Sequence, residues 1–225
     1  MPRPAATEAE IKAVKDQIIE EAIGLIHEGG FQKFSMRNLG ARLGIAAKTI
    51  YNYFTDKDEL YLALLSRGFL QLESQMRQAA TEALQKEKAG ETGQSSSAPL
   101  RELQAMAGAY VRFGLENPGY YNVLFNLDLP RFADYYGTKH ESLAEKQNDD
   151  ALRVAHLAED CISRLNISGP VNAILQQYRL MRLWSTLHGI VSLYNSRVTM
   201  EVGDFRPMIP GLVDDAVKQV LNSDP

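Results

Sequence analysis

Phe34-Ser-Met-Arg-Asn-Leu-Gly-Ala-Arg-Leu-Gly-Ile-Ala-Ala-Lys-Thr-Ile-Tyr-Asn-Tyr-Phe-Thr-Asp-Lys57 decides the fold. It reads as two short helices joined by a tight turn, with a third helix following at once. That is the sequence form of a helix-turn-helix, whose second helix can enter the DNA major groove. Gly44 stands at the turn, where a residue without a Cβ can take positive φ. Between positions 33 and 57 the cations Lys33, Arg37, Arg42, Lys48 and Lys57 stand against one acid, Asp56, in a chain of net charge −4. A local basic face on an acidic body suits phosphate.

Upstream, Thr7 and Glu10 fit a capping box. Ile11, Val14, Ile18, Ala22 and Leu25 then recur at helical spacing, widened by Ile19, Ile23 and Ile26. Gly29-Gly30 is expected to stop this helix. Ser35 caps the next, with Met36, Leu39 and Leu43 facing inward. Ala46 to Tyr53 forms the following short helix. Thr55-Asp-Lys-Asp58 reads as a second capping box opening a long helix from Asp56 to about Gln85, with Leu60, Leu64, Leu65, Phe69, Leu72 and Met76 among its apolar positions.

Downstream, Glu87 to Ala98 is polar, Gly/Ser-rich and aperiodic, which predicts a flexible loop. Pro99 suits the first turn of a helix running to Asn117, where Pro118 ends it. A short aromatic helix, Gly119 to Asn126, precedes a break at Pro130. Lys139 to Leu165 follows as a helix with Leu143, Leu152, Val154, Leu157, Ala158, Cys161 and Leu165 as apolar positions. Ser168-Gly-Pro170 starts the most apolar helix, to about Arg197, and Met208 to Asn222 closes the chain with Leu212, Ala216, Val217 and Val220 on one side. There is no alternating strand pattern. The expected fold class is all-α with about nine helices.

Composition bounds the function. The 225 residues, 45% of them hydrophobic, suffice for one large domain or two small ones with real cores. The start lacks a signal-like apolar run, and Val171 to Tyr194 is interrupted by Arg179 and Arg182, so no membrane span is expected. One cysteine, Cys161, allows no internal disulfide, which fits a reducing cytoplasm. It lies on an apolar stripe and reads as a buried small hydrophobe rather than a redox sensor. Helical bundles can host di-metal carboxylate sites, but these need Glu three residues before His. Gly24, Gly137, Arg153 and Ser185 precede His27, His140, His156 and His188 instead. There is neither a phosphate-binding glycine loop nor a Gly-x-Ser-x-Gly. No catalytic residues, metal or cofactor are therefore expected.

The run Gly44-Ile-Ala-Ala-Lys-Thr-Ile-Tyr-Asn-Tyr-Phe-Thr-Asp-Lys-Asp-Glu-Leu60 resembles the signature of TetR-family transcriptional regulators, over roughly positions 9 to 62. Arg182-Leu-Trp-Ser-Thr-Leu-His-Gly189 is similar to the Trp-x-x-x-His-Gly signature of one subgroup of their carboxy-terminal domains. The resemblance implies a three-helix helix-turn-helix DNA-binding domain (1–55) and a larger helical effector-binding and dimerisation domain (56–225). It implies a recognition helix from Ala46 to Tyr53, with Ala47, Lys48, Thr49, Tyr51, Asn52 and Tyr53 facing DNA. Ser35, Arg37 and Lys57 match phosphate-holding positions. Physics agrees: Ser35 can cap its helix while the N-terminal N–H groups face a phosphate, and a cation in a first turn gains from an anionic partner. Two departures stand out. Ala46 replaces the usual hydroxyl cap, and Lys48 occupies a place that is often small. Ile50 and Phe54 read as core.

The implied partners are a double-stranded, palindromic DNA operator, a small-molecule effector and a second copy of the chain in a homodimer. The activity expected is transcriptional regulation, repressor type. A helical protein-interaction module on the same fold is the alternative. Trp184 and His188 share a helix face and form either a pocket wall or a packed core or dimer interface. Gly189, unfavourable mid-helix, suggests close approach of another helix. Phe113, Tyr120, Tyr121, Phe125 and Tyr178 form either an effector cavity or plain core. The last two helices are expected to make the dimer interface, with Leu187 on the interface face.

Overall fold

The computed structural model describes residues 7–88, 97–165, 173–201 and 203–221. Among these there is no strand, and the architecture is all-α. Nine α-helices are seen: α1 (Glu8–Lys33), α2 (Met36–Leu43), α3 (Ala47–Ile50), α4 (Lys57–Lys88), α5 (Ala98–Glu116), α6 (Pro118–Tyr121), α7 (Glu141–Arg164), α8 (Ala173–Asn195) and α9 (Ile209–Leu221). The expected loop at Glu87–Ala98 and the start of α8 at Ser168-Gly-Pro170 lie largely outside the described residues.

The capping chemistry explains most boundaries. Thr7 Oγ1 accepts the Glu10 N–H and the Glu10 carboxylate accepts the Thr7 N–H, a complete capping box. Gly30, at φ 71°, breaks α1 where expected, but one more turn follows to Lys33. Ser35 Oγ accepts the Asn38 N–H at 3.1 Å and starts α2. Gly44 ends α2 at φ 68°, so the left-handed turn expected of it is present. Met36 and Leu39 are buried, whereas Leu43 is only half-buried.

Two expectations need correcting here. The regular part of α3 is a single turn, shorter than Ala46–Tyr53. Beyond Ile50 the chain tightens: Asn52 N–H bonds to Thr49 O and Tyr53 N–H to Ile50 O, three residues back rather than four. The cap of α4 is Asp56, not Thr55. Asp56 Oδ1 accepts the Asp58 and Glu59 N–H groups at 3.1 and 3.0 Å, and Glu59 reaches back to the Thr55 N–H. A carboxylate is the stronger cap beside the helix dipole, which moves the box one residue on.

The chain divides into two compact units. One runs from the amino terminus to Phe69 and takes in Gly119–Asp150. The other joins Leu70–Pro118 to Ala151 and beyond. In the first, α2 packs on α1 and α3, around Ile18, Ala22, Ile26, Leu39, Ile50, Phe54, Leu60 and Leu64. Residues Asn122–Asn126 widen into a π turn that touches α1. Gly68 lets α4 approach it closely, since a Cβ there would stand 2.9 Å from the Tyr120 ring. In the second unit α5, α8 and α9 pack pairwise. Leu183, Leu187, Ile190 and Val191 of α8 and Val213, Ala216, Val217 and Val220 of α9 are buried there. Some apolar positions expected inside are not: Leu143, Leu152, Leu212 and Ile11 are exposed.

Candidate nucleic-acid interface

α3 buries one side and presents the other. Ile50 is 0% exposed and Phe54 is buried, as expected. Lys48, Tyr51 and Asn52 are exposed, and Ala47, Thr49 and Tyr53 half-buried. Ala46 supplies no side-chain cap, so its helix start is open. Gly40 sets how closely the two helices of the motif cross: a Cβ there would stand 2.8 Å from the Ile45 carbonyl and 3.0 Å from Ala47 N.

The five cations of this region divide. Lys33, Arg37 and Lys48 are exposed and form no ion pair among the described residues. Arg42 is turned back onto α1: Nη1 and Nη2 grip the Glu28 carboxylate at 2.7 and 2.9 Å, and Nε pairs with Glu21 at 2.7 Å. Its guanidinium lies over Gly24, where a Cβ would stand 2.7 Å away. Those two carboxylates raise the Arg42 pKa above its ordinary value. Arg42 therefore adds no free charge to the basic face.

Lys57, expected at a phosphate-holding position, is half-buried and drawn inward. Its Nζ donates to the Phe31 carbonyl at 3.2 Å and stands 3.6 Å from the Phe31 ring centroid and 5.4 Å from that of Phe34. Burial holds its pKa below the ordinary lysine value. The compensation for a cation in a first turn comes from within the domain. No internal partner for Lys57 was visible in the sequence, because Phe31 is 26 positions away.

The acids beside Lys57 turn elsewhere. Asp56 Oδ2 lies 3.0 Å from His140 Nε2 and also pairs with the Lys139 ammonium. A carboxylate only accepts, so the ring proton sits on Nε2. Burial would raise the Asp56 carboxyl, but Lys139, the Glu59 N–H and His140 together hold it below its ordinary value. Tyr135 Oη donates to Asp58 at 3.1 Å. Asp56, Asp58 and His140 offer ligand atoms within 4.8 Å of one another. The Lys139 ammonium already supplies the positive charge there.

The seven residues expected around an effector fall in two units. Tyr120, Tyr121 and Phe125 belong to the first. Tyr121 and Phe125 have ring centroids 5.1 Å apart, and Tyr120 Oη bonds to Glu20. Phe113, Tyr178, Trp184 and His188 belong to the second. Phe113 is fully buried and Tyr178 exposed. Trp184 Nε1–H donates to Tyr110 Oη at 2.9 Å and its ring lies 6.1 Å from His188. Burial lowers the His188 pKa, favouring the neutral ring. Cys161 is buried against Glu102 and Arg164, and burial pushes its thiol up to about 12, the opposite of a reactive thiolate.

A helix-turn-helix with a capped first helix on an all-α chain is the architecture of DNA-binding transcriptional regulators. The profile of bacterial regulatory proteins of the tetR family matches residues 18–64, and that of the tetracyclin repressor-like C-terminal domain matches 103–214. The chain belongs to the TetR family. The uncharacterized HTH-type transcriptional regulator YobS of Bacillus subtilis (strain 168) is 27% identical over 111 residues, 49% of this chain and 51% of that protein. The chain thus spans about half the length of this curated relative. A TetR-like transcriptional regulator from Rhodococcus sp. RHA1 superposes with a TM-score of 0.62 at 15% identity, covering 100% of both chains. A TetR family regulator from Marinobacter aquaeolei VT8 gives 0.64 at 12%, covering 95% of this chain and 98% of the other. These likenesses speak to the fold. Among the described residues no helix is long and apolar enough to cross a membrane.

Proposed function

We propose that the chain is a cytoplasmic, one-component repressor that a small, partly apolar effector releases from a palindromic operator. The observation that carries this is the outer side of α3. Lys48 on α3, and Tyr51 and Asn52 in the turns that follow it, are exposed, while Ile50 fixes the inner side; Lys33 and Arg37, beside the motif, form no ion pair among the described residues. Lys48, Thr49 and Asn52 have the donors and acceptors to read base edges. Ser35, Arg37, Ala47, Tyr51 and Tyr53 position the backbone contacts. Lys57, at the start of α4, is a further backbone contact.

Two copies pair through α8 and α9. Ile174, Tyr178 and Met181 line one exposed side of α8, with half-buried His188 two turns on. Met208 and Leu212 are exposed at and beside the start of α9. A Cβ at Gly189 would meet nothing within 4 Å among the described residues, so no described helix accounts for that glycine. The expected interface residue Leu187 is instead buried within the protomer, on the opposite side of α8. Pairing sets two heads about 34 Å apart for successive major grooves. The effector binds in the second unit and favours a spacing that misfits the operator. It shifts the balance only by its differential affinity for the two states.

The test is selection from a pool of randomised duplex DNA at two salt concentrations. An enriched palindrome bound more weakly at higher salt supports a dimeric operator reader. No enrichment, with and without cell extract, overturns it in favour of a protein-interaction module.

A further inference from the structure

α4 starts three residues after the turns that end the reading helix, and its first turn is gripped from two directions. Lys57 is held by the end of α1, through the Phe31 carbonyl and the Phe31 and Phe34 rings. Its neighbours Asp56 and Asp58 are held by the stretch 130–140, which lies in the same compact unit. We propose that Tyr135 and His140 are positioning residues for DNA reading: through Asp58 and Asp56 they fix the start of α4 and, with it, the exit of α3. This rests on the operator-reading function above.

Three hydrogen bonds fasten the stretch to α4. Tyr135 Oη donates to Asp58 Oδ1 at 3.1 Å, His140 Nε2 donates to Asp56 Oδ2 at 3.0 Å, and Tyr61 Oη donates to the Pro130 carbonyl at 3.1 Å. Tyr61, Tyr135 and His140 are all buried. Such bonds are stronger than exposed ones because water does not compete for them. Lys139 also reaches Asp56, but from an exposed side chain that salt screens. Asp56 is committed on both oxygens: Oδ1 caps α4 through the Asp58 and Glu59 N–H groups, and Oδ2 takes the strap. Moving His140 therefore moves the cap. None of the three bonds involves a residue of α3, so their loss alters the aim of the reading helix and leaves the DNA-facing charges intact.

The experiment uses the full chain and the duplex enriched from the randomised pool. Tyr135→Phe keeps the ring and removes one hydroxyl. His140→Leu removes the donor, and His140→Gln restores an N–H of similar reach. Affinity is measured over a salt series, at a temperature where circular dichroism shows each variant fully folded. The loss expected for Tyr135→Phe and His140→Leu is about five-fold, the scale of one net hydrogen bond. The salt slope is expected to stay unchanged, and His140→Gln to recover most of the loss. Wild-type affinity in both variants, with only the melting temperature lowered, would show a purely structural role and overturn the proposal. A salt slope flattened by about one unit would mean direct phosphate contact and overturn it too. If His140→Leu does not fold, Tyr135→Phe decides. A wild-type chain that enriches no duplex sinks the operator reading itself, an outcome distinct from variants that bind as well as wild type.

Discussion

At the scale of the residue, position on a basic segment does not decide what a cation does; the nearest carboxylate or ring does. Arg37 and Arg42 lie one and a half turns apart in sequence terms on the same short helix, yet one is free and the other clamped by Glu21 and Glu28. Arg37→Ala should weaken DNA binding across sequences and flatten the salt slope by about one unit. Arg42→Ala should leave that slope unchanged and lower stability only slightly, as exposed ion pairs do. Salt-series affinity and urea unfolding of the two variants check both halves. A slope change in Arg42→Ala would mean the clamp opens on DNA. Sequence could show that five cations cluster. It could not show which were spoken for, because Glu21, Glu28 and Phe31 come from a helix whose rotation about its axis is set only by packing.

At the scale of the element, local chemistry was legible and tertiary facing was not. Thr7, Ser35, Gly44 and Pro99 marked helix ends that the structure keeps, because caps and left-handed turns need nothing beyond neighbours in sequence. Periodicity also found the long helices, but not the 3₁₀ turns at Phe132–Tyr135, Val198–Glu201 and Arg206–Met208. It misjudged Leu143 and Leu152 because α7 buries polar residues instead, Gln147 and Asp150 among them. It also offered no sign of the π turn at Asn122–Asn126, or of partners 77 and 84 positions apart joining Tyr135 to Asp58 and His140 to Asp56. The crossing of α2 and α3 yields a direct test. Gly40→Ala drives a Cβ into backbone at Ile45 and Ala47, which no side-chain rotation relieves. It should destabilise the chain by about 1–3 kcal/mol, the range for overpacking. Operator affinity should fall too, because α3 is the element displaced. Thermal unfolding and binding on the same samples test this; an unaffected binder would mean that α3 tolerates the shift.

At the scale of the whole molecule, the proposed reading face and the proposed pairing face lie on different helices, so each can be broken alone. Met181→Asp puts a charge on the exposed side of α8, opposite the buried Leu183 and Leu187. It should yield folded monomers by size-exclusion with light scattering, and a much weaker grip on a palindrome than on its half-site count would suggest. A dimer that survives the change places the interface elsewhere. The single turn of α3 has a consequence of another kind. Ile50 is the one buried side chain of that turn, and Ala46 adds no cap, so its shape is imposed by its surroundings, the Gly40 crossing among them. Lys48 and Asn52 at the surface, with Thr49 half-covered, are therefore nearly exempt from folding constraints. A lineage can rewrite those letters one at a time and change its target without passing through an unfolded intermediate, and a library randomised at these positions is a natural starting point for retargeting the same scaffold.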